Sequence, residues 1–259
     1  MSVTQAMPRY LSIQDELDPP FDPAARFAIY YAPPPESVWW AIGCDWLQRD
    51  PAAGATPAAP IVPGLSRPLT ELTAEPRRYG WHATLVAPFR CQPQVEPQAM
   101  VQHVAEWARR QQPFLLPVQV ARLDRFIALQ PDESSAAARQ AAAAMHALAA
   151  GAVHHCAALR AAPTPGELAK RRLQALSARQ DELLQAWGYP YVLDEFRFHM
   201  TLSNSIDAAD GDAIMAWWQP KLAELGPLPV ASVAIYVEPE PGADFLLWQR
   251  LPLGGGVIS

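Results

Sequence analysis

Apolar and polar positions alternate along this chain with two different periods, and the changes of period mark its elements. Arg26-Phe-Ala-Ile-Tyr-Tyr31 is β-branched and aromatic, which predicts a strand, and Pro33-Pro34-Pro35 stops it. A short helix carrying Trp39, Trp40 and Trp46 is predicted next. Residues 49–77 are rich in Pro, Ala, Gly and Thr and hold no sustained period, so a long surface loop is expected there. Loops of that length are uncommon unless they cover something functional. Residues 1–25 read as irregular and proline-rich.

From residue 80 onward one order of elements occurs twice. Gly80-Trp-His-Ala-Thr-Leu-Val-Ala-Pro88 is followed by a predicted helix at about 97–111, a strand over Leu115–Val120 and a strand over Arg125–Leu129. Phe196-Arg-Phe-His-Met-Thr-Leu202 is followed by a predicted helix at about 208–224, a strand over Val230–Val237 and a strand over Phe245–Trp248. His82 precedes Phe126 by 44 residues and His199 precedes Phe245 by 46, a difference that a loop absorbs. Two similar α+β lobes within one domain spanning 1–259 are the economical reading, with lobe motifs near 78–130 and 194–250.

Between the lobes a helical insertion is expected over about 134–190, packed beside the cleft. It opens with an Ala-rich run near 136–150 and continues from Glu167 to Trp187. Thr164-Pro165-Gly166-Glu167 has the form of a capping box with Pro at the first helical position, and Ser177-Ala-Arg-Gln180 is a second capping box. Gly188 and Pro190 end the run. Lys170, Arg171 and Arg172 form a cationic cluster on it, which reads either as a solvated helix face or as a ligand contact.

Composition narrows the function classes. With 259 residues and 50% hydrophobic content the chain is long enough for a substantial core. Its N-terminus has no cationic segment leading into an apolar run, and no window reaches the roughly 18 to 20 apolar residues of a membrane span, so a soluble cytoplasmic protein without membrane partners is expected. Cys44, Cys91 and Cys156 are an odd number at wide spacing, which indicates neither a disulfide framework nor a zinc knuckle. A formal charge of -6 argues against a stable nucleic-acid complex, since such affinity rests on many Lys and Arg contacts to phosphates. A small phosphorylated substrate in a local basic pocket is compatible with it.

The chemistry is carried by His82-Ala83-Thr84 and His199-Met200-Thr201. A strand has a side-chain period of two, so each triplet presents one imidazole and one hydroxyl on the same face. Imidazole exchanges a proton near neutral pH, and a threonine hydroxyl donates to a phosphate oxygen. Two such pairs across a cleft supply an acid, a base and donors for phosphoryl oxygens. By this reading His82 and His199 are catalytic, and Thr84 and Thr201 bind phosphate. The other histidines lie in helical stretches, and the absence of His-Glu-x-x-His or similar spacing leaves no metal site and no cofactor expected. Strand parity adds Arg78 and Arg197 as phosphate-facing guanidinium groups. Tyr30, Tyr79 and Trp81 are candidates to flank a sugar or base, against the reading that they are core.

His82-Ala-Thr-Leu and His199-Met-Thr-Leu resemble the paired signatures of the two-histidine phosphoesterase superfamily. Arg78-Tyr-Gly-Trp-His-Ala-Thr-Leu, Trp187-Gly-Tyr-Pro-Tyr-Val192 and Phe196-Arg-Phe-His-Met-Thr-Leu202 more narrowly resemble its bacterial branch associated with phosphonate-utilisation operons, over about residues 26–250. The resemblance implies a duplicated, bilobal α+β fold with an antiparallel sheet and flanking helices in each lobe. It also implies metal-independent hydrolysis of a small cyclic phosphodiester by a phosphoric diester hydrolase, with a ribose cyclic phosphate of phosphonate catabolism favoured. Hydrolysis of RNA 2′,3′-cyclic phosphate ends and non-catalytic binding of a phosphorylated ligand are the alternatives. Arg160 and Lys170 are further substrate-binding candidates, Arg160 from a stretch similar to the branch's Arg-Ala-Pro. The branch often has Lys two residues after the first motif threonine; here Val86 stands there, expected on the same face as His82 and Thr84.

Overall fold

A computed structural model describes residues 21–254; residues 1–20 of the predicted irregular N-terminus lie outside the described residues. The described chain is mixed α+β, with several antiparallel sheets and helices. In chain order the strands are β1 (Arg26–Tyr31), β2 (Ala83–Phe89), β3 (Phe114–Leu116), β4 (Val118–Leu123), β5 (Phe126–Pro131), β6 (Met200–Thr201), β7 (Leu228–Val230), β8 (Ser232–Glu238) and β9 (Leu246–Pro252). The longer helices are α1 (Val38–Leu47), α2 (Pro97–Ala108), α3 (Ala136–His155), α4 (Pro165–Arg172), α5 (Ala178–Trp187) and α6 (Ala208–Leu225). Two predicted strands are each split in two, at Pro117 and at Ala231. The predicted loop at 49–77 ends in two single-turn helices, Leu69–Leu72 and Ala74–Arg77, anchored by buried Leu69, Leu72 and Pro76.

One sheet has the strand order β2-β1-β8-β9 and another β4-β5-β6, while β3 and β7 pair with each other. The orders β2-β1-β8 and β6-β5-β4 are the same pattern in different segments, antiparallel throughout. Even the register agrees: Thr84 lies opposite Tyr30 and Ala83 opposite Tyr31, as Thr201 lies opposite Ala128 and Met200 opposite Leu129. α2 packs on β8 and β9, and α6 packs on β4 and β5, so each sheet is covered by the helix that follows its own His-x-Thr strand. The shared strand order begins one strand earlier than the sequence pattern indicates: β5 pairs with β6 as β1 pairs with β2.

Both faces of β1 are buried. Phe27, Ile29 and Tyr31 belong to the main core, whereas Ala28, Tyr30 and Ala32 face a smaller cluster with Trp40, Tyr236 and Phe245. Opposite Ile29 stands Val86, and opposite the next residue, Tyr30, stands Thr84, so the pairing slips by one residue at Leu85. Such a slip reverses the face that later residues present. Val86 consequently enters the main core beside Ile29 and does not share the face of Thr84, contrary to strict alternation.

The insertion divides into two parts with different tasks. α3, begun by Ser135 accepting from the Ala138 amide, buries Met145, Leu148, Ala149, Ala152 and Val153 and packs against β2 and β3. By length and composition the helical run Ala136–Leu159, α3 and the turn after it, is apolar enough to cross a membrane, contrary to the expectation that no window reaches that length; 39% of its most apolar window is buried inside the structure. α4 and α5 start with both predicted capping boxes, and α5 ends on Gly188 in the left-handed conformation. These two helices border the cleft.

Candidate functional site

The cleft is built where β2 and β6 begin. Gly80 adopts φ +75°, and a Cβ at that position would stand 2.7 Å from Pro51, so the turn before His82 requires glycine. That turn delivers the Gly80 carbonyl to His82, whose Nδ1 donates to it at 2.9 Å. The second histidine is held in the same manner, with His199 Nδ1 donating to the Arg197 carbonyl at 2.8 Å. A carbonyl only accepts, so each neutral ring carries its proton on Nδ1 and leaves Nε2 as an acceptor. The Thr84 hydroxyl donates to His82 Nε2 at 3.3 Å.

Burial lowers the proton affinity of both rings. His82 is brought down to about 4 by desolvation first, with the charge of His199 adding to it and the Gly80 carbonyl opposing it. Thr84, Phe126 and Tyr189 line both the cavity that contains His82 and the one that contains His199. His199 is lowered too, again by desolvation, against the support of the Arg197 carbonyl. Both imidazoles are therefore neutral at neutral pH. A dianionic phosphate between them favours the charged form and would draw protons onto Nε2.

Three adjoining cavities extend the cleft. One of about 370 Å³ is lined by Tyr30, Tyr79, His82, Thr84, Thr201 and Ser203, among others. A second of about 510 Å³ holds His199, Arg197, Thr84, Phe126, Tyr189 and Tyr191 in its wall. A third of about 280 Å³ is basic and includes Arg78, Arg160 and Lys170. Tyr30 stacks against His82 with ring centroids 4.0 Å apart, and Tyr79 stands 5.9 Å away. Arg78 is committed to buried Glu238, which it shares with Arg26. Arg197 is exposed at the rim.

Trp81 takes no part in this lining. It is fully buried, stacks on Trp218 at 5.7 Å and presses on Gly43, where a Cβ would lie 2.2 Å from its ring. Its task is to fix the backbone beneath His82. The remaining histidines brace helices: His103 and His155 stack at 4.0 Å, and each Nε2 is bonded to the other's carbonyl. Sequence reasoning passed over Arg26, Phe126, Glu238 and Tyr189. Tyr189, which lines two of the cavities, sits in the Trp-Gly-Tyr-Pro-Tyr segment, and that was its available signal. Among the described residues no three His, Cys, Asp or Glu side chains converge as a metal site.

Fold and site thus define an α+β protein with two equivalent strands that bring a pair of His-x-Thr motifs to one cleft. The family model described as "Protein of unknown function (DUF1045)" matches residues 84–246, more than half of the chain, and the chain belongs to that family. A curated relative from Janthinobacterium sp. (strain Marseille), named ribose 1,5-bisphosphate phosphokinase PhnN, is 39% identical over 242 residues, which is 89% of this chain and 51% of the relative. A relative of the same name from Laribacter hongkongensis (strain HLHK9) is 39% identical over 226 residues, 86% of this chain and 50% of the relative. The chain spans about half the length of these curated relatives.

These names correct the expected activity. Both relatives are phosphokinases, which are phosphoryl transferases, so the expected cyclic phosphodiesterase is overturned, and neither alternative to it gains support. The relatives' printed name concerns a ribose bisphosphate, a small phosphorylated compound. The sequence contains no Gly-x-x-x-x-Gly-Lys-Ser/Thr loop of the kind that cradles nucleotide phosphates.

Proposed function

We propose that the cleft receives a phosphorylated ribose, and that His82, His199, Thr84 and Thr201 handle its phosphoryl group during phosphoryl transfer. The observation that carries this reading is the shared register of β1 with β2 and of β5 with β6, which gives both motif threonines equivalent positions beside the two Nδ1-anchored imidazoles. The substrate class follows from the relatives' name, and the resemblance to proteins of phosphonate utilisation agrees with it. The neutral Nε2 of one ring takes a proton from a reacting hydroxyl. The other ring, which takes a proton from solvent once the incoming dianion raises its pKa, donates with the threonine hydroxyls to phosphoryl oxygens and returns that proton to the leaving oxygen. No residue here is assigned to a nucleotide.

The finer fold reading, a bilobal duplicated domain of two-histidine phosphoesterase type, is supported by the matching strand orders and by the matching helix on each sheet. A fold of this kind does not fix the reaction, because chemistry lives in the site grafted onto it. A soluble cytoplasmic setting belongs to the same proposal. Isothermal titration with ribose, ribose 5-phosphate and ribose 1,5-bisphosphate tests the reading. The phosphorylated sugars should bind and ribose should not, and Thr84→Ala with Thr201→Ala should weaken binding about 10- to 100-fold, the effect of lost hydrogen bonds to a charged group. Equal binding of ribose, or binding untouched by both threonine changes, would contradict it.

A further inference from the structure

The 280 Å³ cavity beside the cleft collects six cations, Arg26, Arg78, Arg90, Arg160, Lys170 and Arg171, in a chain whose formal charge is -6. Two carboxylates answer them. Glu238 holds Arg26 and Arg78, and Glu167 holds Arg90 at 2.8 Å. Arg160, Lys170 and Arg171 form no ion pair among the described residues. Arg171 lies over the Tyr189 ring at 4.9 Å, and Arg160 lies over Phe89 at 6.0 Å. The Arg160 Nε is buried with no hydrogen-bond partner, and its Nη2 lies close enough to Gly188 that a Cβ there would be 2.8 Å away. A guanidinium held in place by packing, with an unmet donor, is the arrangement that a phosphate completes.

The neighbouring Arg172 shows what a solvated cation on the same helix does instead. It pairs with Asp181 at 2.6 Å outside this cavity. The cationic cluster of α4 is thus divided, two residues facing inward and one outward. Arg26, Tyr79, Pro88 and Arg171 line both this cavity and the one that contains His82, so the two chambers adjoin.

We propose that the basic chamber is a second phosphate subsite, which takes a phosphate monoester at the far end of a ligand whose other phosphoryl group lies between the two His-x-Thr pairs. The ligand class is a bisphosphate with a pentose-sized spacer. This rests on the reading of the cleft as a phosphopentose site. Two arginines and a lysine around one anion, Arg160, Arg171 and Lys170, provide charge-assisted donors of the strongest kind. Uncompensated cations also repel one another, so an anion relieves the chamber as well as filling it.

Calorimetric titration of the full chain with inorganic phosphate, ribose 5-phosphate and ribose 1,5-bisphosphate tests the proposal. Five proteins are compared: wild type, R160Q/K170Q/R171Q, K170Q/R171Q, T84A/T201A and R172Q. Wild type should bind the bisphosphate at least about 10-fold more tightly than the monophosphate, and the triple variant should lose that preference while R172Q keeps it. K170Q/R171Q, which leaves the packed Arg160 in place, should lose part of the preference even if the triple variant does not fold. An unchanged preference in K170Q/R171Q and the triple variant overturns the second subsite. Phosphate binding abolished by the basic-chamber changes but untouched by T84A/T201A keeps the chamber and removes the reading of the cleft, so the two failures are distinguishable.

Discussion

The two halves of the cleft share a backbone and differ in what surrounds the histidine. In the half formed by β1, β2 and β8, Tyr30 stands opposite Thr84 and stacks on His82 at 4.0 Å, with Tyr79 and Tyr236 nearby. In the half formed by β4, β5 and β6, Ala128 takes the place of Tyr30, and the aromatic neighbour of His199 is Phe126 at 5.8 Å. The same frame therefore holds one imidazole in a dry aromatic cage and the other at a more open rim. Desolvation penalises the charged ring, which makes His82 the poorer holder of a proton and His199 the better one. Matching strand geometry with different packing is a direct way to separate two otherwise similar groups.

The comparison is broken most severely by Tyr30→Ala, which gives the first half the residue of the second. Loss of a fully buried aromatic ring should cost on the order of 3 to 5 kcal/mol of stability, read by denaturant unfolding, and the opened cage should raise the His82 pKa towards that of His199. An unmoved His82 titration would show that the cage does not set it. Gly43→Ala comes next, since its methyl group would enter the Trp81 ring; about 1 to 3 kcal/mol is expected, with the His82 resonances disturbed and those of His199 spared. Equal disturbance of both rings would argue against separate supports.

A smaller effect sharpens the contrast through pH. His82 titrates at about 4 when folded, below its ordinary 6.5, so the unfolded chain binds the proton first. Stability from this group is complete above about pH 6.5 and is lost progressively as pH falls towards 4. His82→Gln should flatten that part of the stability profile, and an unchanged slope would place the loss elsewhere. The smallest expected effect is that of Arg197→Gln, which removes a rim cation but keeps the carbonyl that anchors His199. It should weaken phosphate binding only a few-fold, in the manner of exposed charge pairs.

Much of this arrangement was legible in the residues. The His-x-Thr triplets, the order of elements after each, and both capping boxes follow from local periodicity and turn chemistry, which the short range of the chain controls. The face of Val86 was not legible, because the pairing slip at Leu85 is set by the partner strand and not by β2 itself. Nor was the place of β1, which lies more than fifty residues before His82; only the sheet order shows it beside β2 as β5 stands beside β6. The sequence leaves Trp81 open between a cleft wall and the core, because strand position alone does not distinguish a cleft wall from the layer beneath; the structure buries it. The reaction was misread for a different reason: paired motifs fix what the groups can do to a phosphoryl oxygen, not which phosphoryl group arrives.

The central claim is that both imidazoles meet one phosphorylated ribose. Its most direct test is a nitrogen-detected NMR titration of the histidine rings at pH 7, with and without ribose 1,5-bisphosphate. In the free protein His82 and His199 should both be neutral with the proton on Nδ1, and the ligand should shift both and raise both pKa values while His103, His146, His154 and His155 stay unmoved. A ligand that binds yet leaves His82 or His199 unperturbed would contradict the account.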